Sequence, residues 1–280
     1  MAPQVHLSRP HDGVALLLLD DPPKNFGSYA LLQALEDRLA EVAAHRDRVV
    51  VLASDVPGYF LAHAWLEDVL NAYESPESIT GDPLLWRRVT HTLERGPTVS
   101  ISCNHAQAWG GGAEISWACN LRTAGRSATY AQIESVLGVI PGGGGTVRLS
   151  RLAGQSKALE IFLTGEPVGA EELERHGIVN RVFDDGELRE RTLEWAARIA
   201  SRPHRALQAN KRGVLQAWDL GYDDALRLEG YIFNSTMRGD TLERMRRIQD
   251  VYDRGGDSWE AYGLERPAAG PGTSTPTTPT

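Results

Sequence analysis

Cysteine is almost missing from this chain: 280 residues carry two, Cys103 and Cys119. Both lie in apolar stretches, which excludes a disulfide scaffold, suits a reduced cytoplasmic setting and reads them as small buried hydrophobes. No apolar run approaches the roughly 20 residues that a membrane span needs, and the opening MAPQVHLSRPHDGV lacks the apolar core of a secretory leader. A soluble cytoplasmic protein with no membrane partner is expected. Basic runs are scarce too, the densest being RMRRIQ. With a net charge of −8, nucleic acid is not expected as a partner.

Several chemical signatures are also lacking. No Gly-Lys pair occurs, so there is no phosphate-binding P-loop, and the dinucleotide spacing G-x-G-x-x-G fails around Gly110 and around Gly142 to Gly145. No G-x-S-x-G elbow offers a nucleophilic serine. The eight histidines show no H-E-x-x-H or other compact ligand spacing, so no metal is expected.

What is present has the composition of a globular domain, 41% apolar and 24% charged, enough for one large domain or two modest ones. Val5 to Leu7 and Val14 to Leu19 read as strands around a PHDG turn. Leu31, Leu32, Leu35, Leu39 and Val42 recur at helical spacing between charged residues. RVVVLAS reads as a strand buried on both faces. The grammar then repeats: TVSISC as strand, GGGAEISWACN as helix, LRTAG and ATYAQ as strands, which suggests stacked ββα units in an α/β fold. Beyond Gly145, TVRLSRLAG, QSKALEIFLTG and GAEELERHG read as helices each closed by glycine, IVNRVF as one short strand, and the rest as helical. The tail ERPAAGPGTSTPTTPT cannot build a core and reads as disordered. The expected organisation is a core over 1–200, a helical region over 201–264 and a disordered tail over 265–280.

Chemistry concentrates in AWGGGAEIS. A glycine loop that feeds a helix leaves first-turn N–H groups free, at the positive end of the helix dipole, to stabilise an oxygen that turns negative during reaction. Glu114 lies one turn in. A second carboxylate, Glu134, follows in YAQIESVLGVIPGGGGT, beside another glycine-rich loop.

The ordered set NF, YFLAHAW, AWGGGAE, YAQIE and GVIPGGGGTVRLSRLAG resembles the crotonase, or enoyl-CoA hydratase/isomerase, superfamily over about Val14 to Arg254. The resemblance implies a spiral of ββα turns with a helical C-terminal trimerisation region, assembled as a homotrimer or hexamer. It also implies a coenzyme A thioester as substrate, with no separate cofactor. It places the peptide N–H groups of Ala64 and Gly111 on the thioester oxygen. Glu114 becomes the base that activates water and Glu134 the acid, in a hydro-lyase reaction on a 2-enoyl thioester. Substrate and coenzyme contacts are implied for Lys24 and Asn25, for Ala62, His63 and Trp65, for Gly110 and Ile133, and for Pro141 and Gly142.

Some positions depart from the family pattern. The first oxyanion segment, usually A-G-A-D, reads Ala62-His63-Ala64-Trp65. His63 either bonds a neighbouring loop or enters the acyl pocket, and Trp65 either packs beneath the loop or narrows that pocket. Ile133 replaces a common proline. Arg246 or Arg247 either belongs to a solvated helix face or meets coenzyme phosphates, and the usual basic ending is replaced by DSWEAYGLERP. Two other readings stay open: a different crotonase-type reaction (isomerase, thioester hydrolase or carbon–carbon lyase) on a coenzyme A, carrier-protein or coenzyme-free substrate, and a non-catalytic binding protein.

Overall fold

A computed structural model describes residues 3–75, 81, 82 and 84–266. The expected disordered tail therefore lies, from residue 267 on, outside the described residues. The strands form two sheets. The larger has six strands in the order β1 (Gln4–His11), β2 (Val14–Asp20), β3 (Val49–Ser54), β5 (Val99–Asn104), β7 (Leu121–Gly125) and β10 (Arg181–Phe183). The smaller has four, in the order β4 (Tyr59–Leu61), β6 (Gln107–Trp109), β8 (Thr129–Ala131) and β9 (Val168–Gly169). From β3 to β8 the chain places one long strand in the large sheet and the next, short one in the small sheet. This is the physical content of the ββα repeat.

The large sheet is parallel except where β1 pairs antiparallel with β2. All six residues of β3 are buried, because side chains alternate between two covered faces. On one face Ala15, Leu17, Leu19, Val50 and Leu52 meet α1 (Tyr29–His45) and α3 (Leu85–Arg95). On the other, Val14, Leu16, Val49 and Val51 meet Leu188, Ala196 and Ala200 of α8 (Leu188–Ala200).

Helix α1 starts where Ser28 Oγ accepts the Leu31 N–H at 3.2 Å, capping one of the orphan donors of a helix start. Its buried stripe is Leu31, Leu32, Leu35, Leu39 and Val42, the residues that the spacing singles out, each contributing about 2 kcal/mol by leaving water. Helix α2 (Leu66–Glu74) buries none of its residues, and α4 (Gly111–Ala118) buries all of them.

The three glycine-closed helical stretches are also found. The first two form α6 (Gly145–Thr164), which departs from helical geometry at Gly154 and is closed by Gly165. The third is α7 (Ala170–Arg175). A very short helix, α5 (Glu134–Leu137), lies between β8 and α6. One compact unit runs to Gln216 and a second begins at Ala217. Helix α9 (His204–Ala217) is fastened into the first unit by Lys211 Nζ, which donates to Thr98 O at 2.7 Å. The second unit holds α10 (Tyr222–Thr236), α11 (Gly239–Asp253) and α12 (Ser258–Tyr262). Among the described residues no helix is long and apolar enough to cross a membrane.

Candidate active site

The three glycines at the start of α4, Gly110 as its N-cap and Gly111 and Gly112 as its first two residues, meet three different neighbours. Gly110 has φ +47, a backbone region that side chains with a Cβ rarely enter. Gly111 lies against Trp86 of α3 and the Ala64 peptide: a Cβ there would be 2.5 Å from Trp86 Cη2 and 3.0 Å from Ala64 N. At Gly112 a Cβ would run into the Leu61 carbonyl, with the carbonyl carbon at 2.9 Å. Glycine therefore lets the start of α4 dock on the chain leaving β4.

That chain is held from behind by the loop before α1. Gly27 N–H donates to His63 O at 2.7 Å, and Trp65 N–H donates to Gly27 O at 3.1 Å. In such a parallel bridge the residue between the two bonded positions directs its own N–H to the opposite side, so Ala64 N–H faces away from Gly27. Gly111 is the first residue of α4, where no carbonyl stands one turn earlier to accept its N–H. Neither N–H donates to a backbone carbonyl among the described residues. Two unspent donors thus lie side by side.

Glu114 is 4% exposed. Its Oε1 accepts the Gly145 N–H at 2.8 Å, which ties α4 to the start of α6. The intervening glycine loop is anchored by Arg148, whose Nη1 donates to Gly143 O at 2.7 Å and whose Nη2 donates to Glu94 at 3.0 Å. Pro141 and Gly142 belong to this loop, and a Cβ on Gly142 would meet nothing within 4 Å.

Glu134 is half-buried at the start of α5, with Oε2 buried and unpartnered in the described structure. A Cβ built on Gly110 would find Glu134 Oε1 at 3.4 Å, His63 Cβ at 3.4 Å and Ile133 Cγ1 at 3.5 Å. Gly110, His63, Ile133 and Glu134 therefore share one wall. Gln132 joins it from below. It is fully buried and its Nε2 donates to Gly110 O at 3.0 Å.

Burial pushes the Glu114 carboxyl up to about 7, and the charge of Glu134 adds to the rise, while the Gly145 and Gly143 N–H groups and Arg148 oppose it. Burial also raises Glu134. The Glu114 shift has a consequence for stability. Below about 4.5, its ordinary value, the carboxyl is protonated whether the chain is folded or not. Between there and about 7 the unfolded chain ionises first, so the folded state loses up to about 3 kcal/mol, a loss complete above about 7. Glu114→Gln is therefore expected to raise the melting temperature at pH 8 and to leave it little changed at pH 4. Parallel melts at the two pH values check this.

The unusual residues of the first segment form an aromatic group. His63 Nδ1 lies 2.7 Å from Ala64 O, and because a carbonyl only accepts, this nitrogen carries the proton. Phe26 sits between His63 and Trp65, at 4.9 Å from each ring. Trp65 is 36% exposed.

Asn25, expected to touch the coenzyme, is instead fully buried. Its Oδ1 accepts from Asp21 N–H at 2.6 Å, and its Nδ2 donates to Ser54 Oγ at 2.7 Å and Phe60 O at 3.1 Å. Its side chain is spent on holding the loop. Ala62 is likewise buried, with its N–H donated to Asn25 O and its carbonyl accepting from Trp109 N–H. Lys24 is exposed, with Nζ 5.8 Å from the centre of the Tyr59 ring. Arg246 and Arg247 lie exposed on α11 of the second unit. Trp86, Gln132 and Arg148 received no role from sequence. Gln132 stands two residues before Glu134, whereas nothing in the spacing points to Trp86. Among the described residues no three His, Cys, Asp or Glu side chains group so as to hold a metal ion.

Residues 9–253 match the family model described as enoyl-CoA hydratase/isomerase. A probable mitochondrial enoyl-CoA hydratase 2 of Arabidopsis thaliana is 32% identical over 86% of this chain and 80% of its own. A glyoxysomal fatty acid beta-oxidation multifunctional protein, MFP-a, of Brassica napus is 34% identical over 68% of this chain but only 26% of its own length. A crystal structure of enoyl-CoA hydratase from Bacillus anthracis superposes with a TM-score of 0.80 at 26% identity, covering 90% of this chain and 97% of that one. The chain belongs to the enoyl-CoA hydratase/isomerase family, and its fold is that of the crotonases.

Proposed function

We propose that the protein is an enoyl-CoA hydratase, adding water reversibly to a 2-enoyl thioester of coenzyme A. The observation that carries this reading is the pair Glu114 and Glu134, both raised by burial, together with the two unspent N–H donors of Ala64 and Gly111. The thioester oxygen accepts from Ala64 N–H and Gly111 N–H. Each donor is worth roughly 3 kcal/mol as the oxygen gains charge. Ionised Glu114 takes a proton from water as its oxygen bonds to C3, and the electron pair of the double bond moves onto the thioester as an enolate. Glu134 then delivers a proton to C2. Unequal surroundings let one carboxyl act as base and the other as acid.

Because Glu114 must be ionised to accept a proton and Glu134 must still hold the proton that it delivers to C2, kcat/KM for hydration is expected to rise with pH through about 7, pass through a maximum and fall again as Glu134 ionises. Steady-state assays with crotonyl-CoA check this by loss of the enoyl absorbance. Exchange of deuterium at C2 without a hydroxyacyl product would replace hydration by isomerase chemistry.

The second unit carries large exposed apolar side chains, among them Tyr222, Tyr231 and Phe233, which supports burial against further copies in a trimer or hexamer. Light scattering should return the mass of three or six chains. Cys103 and Cys119 are free and buried, which suits a reducing compartment such as the cytoplasm.

A further inference from the structure

Lysine is rare in this protein, and its three lysines have three different surroundings. Lys24 is exposed above Tyr59. Lys157 is clamped by two carboxylates, Glu160 at 2.9 Å and Glu172. Lys211 lines a cavity of about 260 Å³ together with Arg95, Arg212 and Gln208, and its Nζ bonds the Thr98 carbonyl at 2.7 Å. We propose that Lys211 is a site of covalent acylation, its amine reacting with acyl thioesters that enter this basic cavity.

Three observations support the assignment. The bond to Thr98 uses one N–H and leaves the lone pair of a neutral amine available, since a carbonyl only accepts. Burial outweighs Cys119 and Glu94, the two facing groups that favour the charged form of Lys211. Glu94 is bound to Arg148, and burial pushes the Cys119 thiol up to about 12, so that it stays neutral. Arg95 and Arg212 add positive charge at the cavity. Burial alone lowers Lys211 to about 8, against Cys119 and Glu94. The two arginines supply a field that draws in the phosphates of coenzyme A.

In the reaction Nζ attacks the thioester carbonyl carbon, forming a C–N bond as the C–S bond breaks. The sulfur leaves as a thiolate and takes up the proton lost from nitrogen, so the products are an amide and free thiol. The amide keeps one N–H for Thr98 O. No oxidant or co-reactant is needed.

The cellular acyl donor rests on the hydratase reading, but the test does not. Full-length protein is incubated with acetyl-CoA, which has no double bond to hydrate, and acetylation is mapped by peptide mass spectrometry. At pH 7.5 an amine with a value of about 8 is neutral in about a quarter of molecules, an ordinary lysine in about a thousandth. After allowing for the weaker nucleophile, Lys211 should acquire acetyl at least about tenfold faster than Lys24 or Lys157, at a rate that levels off above pH 8. Lys211→Arg should lose that fast phase. Equal labelling of the three lysines, or label on Lys24 with none on Lys211, would overturn the proposal. Crotonyl-CoA hydration measured on the same sample separates the two ideas: active enzyme with Lys211 unlabelled refutes only acylation, and labelled but inactive enzyme refutes only the hydratase reading.

Discussion

Glu114→Gln is expected to lower kcat for crotonyl-CoA hydration by about 10²- to 10⁴-fold, the range that one positioned acid–base group supplies, with KM little changed. The substitution preserves volume, and the amide oxygen can still accept the Gly145 N–H that Oε1 now holds at 2.8 Å. What disappears is the ability to take a proton from water. Because the same change is expected to stabilise the fold at pH 8, loss of activity cannot be assigned to unfolding. Glu134→Gln should fall in the same range, and the double variant should lose far less than the product of the two, since the carboxyls serve one reaction. Steady-state kinetics beside thermal melts test all three, and a kcat for either single variant within threefold of the parent would remove that carboxylate from the mechanism.

Gly112→Ala is the second large effect. Its new methyl would run into the Leu61 carbonyl, with the carbonyl carbon 2.9 Å away, and both parties are backbone. No side chain can swing aside, so either α4 or the end of β4 must move. A destabilisation of about 3 kcal/mol is expected, at the upper end of ordinary overpacking. Any such movement also separates the Ala64 and Gly111 N–H groups, which should cost a further 10²- to 10³-fold in kcat, the loss found when one oxyanion donor is removed. Gly169→Ala, in β9, is the matched control. It faces open space and should stay within about 0.5 kcal/mol of the parent. Urea unfolding and hydration kinetics on the two variants measure both parts, and equal behaviour of the pair would contradict the close-docking account.

The parts of this molecule that sequence reveals are those in which one residue type has one physical task. The Leu31 to Val42 stripe must face a core at helical spacing, and it does. A strand such as VVVLAS, branched and apolar throughout, belongs in a sheet covered on both sides. Helices α6 and α7 lie where glycine punctuation puts them. What stays hidden depends on partners distant in the chain. Trp86 lies 25 residues before Gly111, and the pair meets only because the spiral brings α3 over α4. Arg148 could be any helical arginine until Gly143 and Glu94 are seen beside it. Asn25 has the composition of a ligand contact, and only its scaffold partners show that its amide faces inward. The division of short strands into a second sheet is equally invisible, since β4, β6 and β8 have three residues each, too few for a period to register.

The glycine triplet also acts as a ruler. Successive residues of an α-helix are turned by about 100° around its axis, so the residue at which α4 begins decides which way every later side chain points. Gly110, Gly111 and Gly112 are each fixed by a different neighbour, and no slip of the chain can exchange their places. One glycine more or fewer would leave the composition of the loop nearly unchanged yet swing the carboxylate of Glu114 a quarter turn away from Gly145. The length of AWGGGAE thus carries as much information as its letters, because it sets the compass bearing of the base.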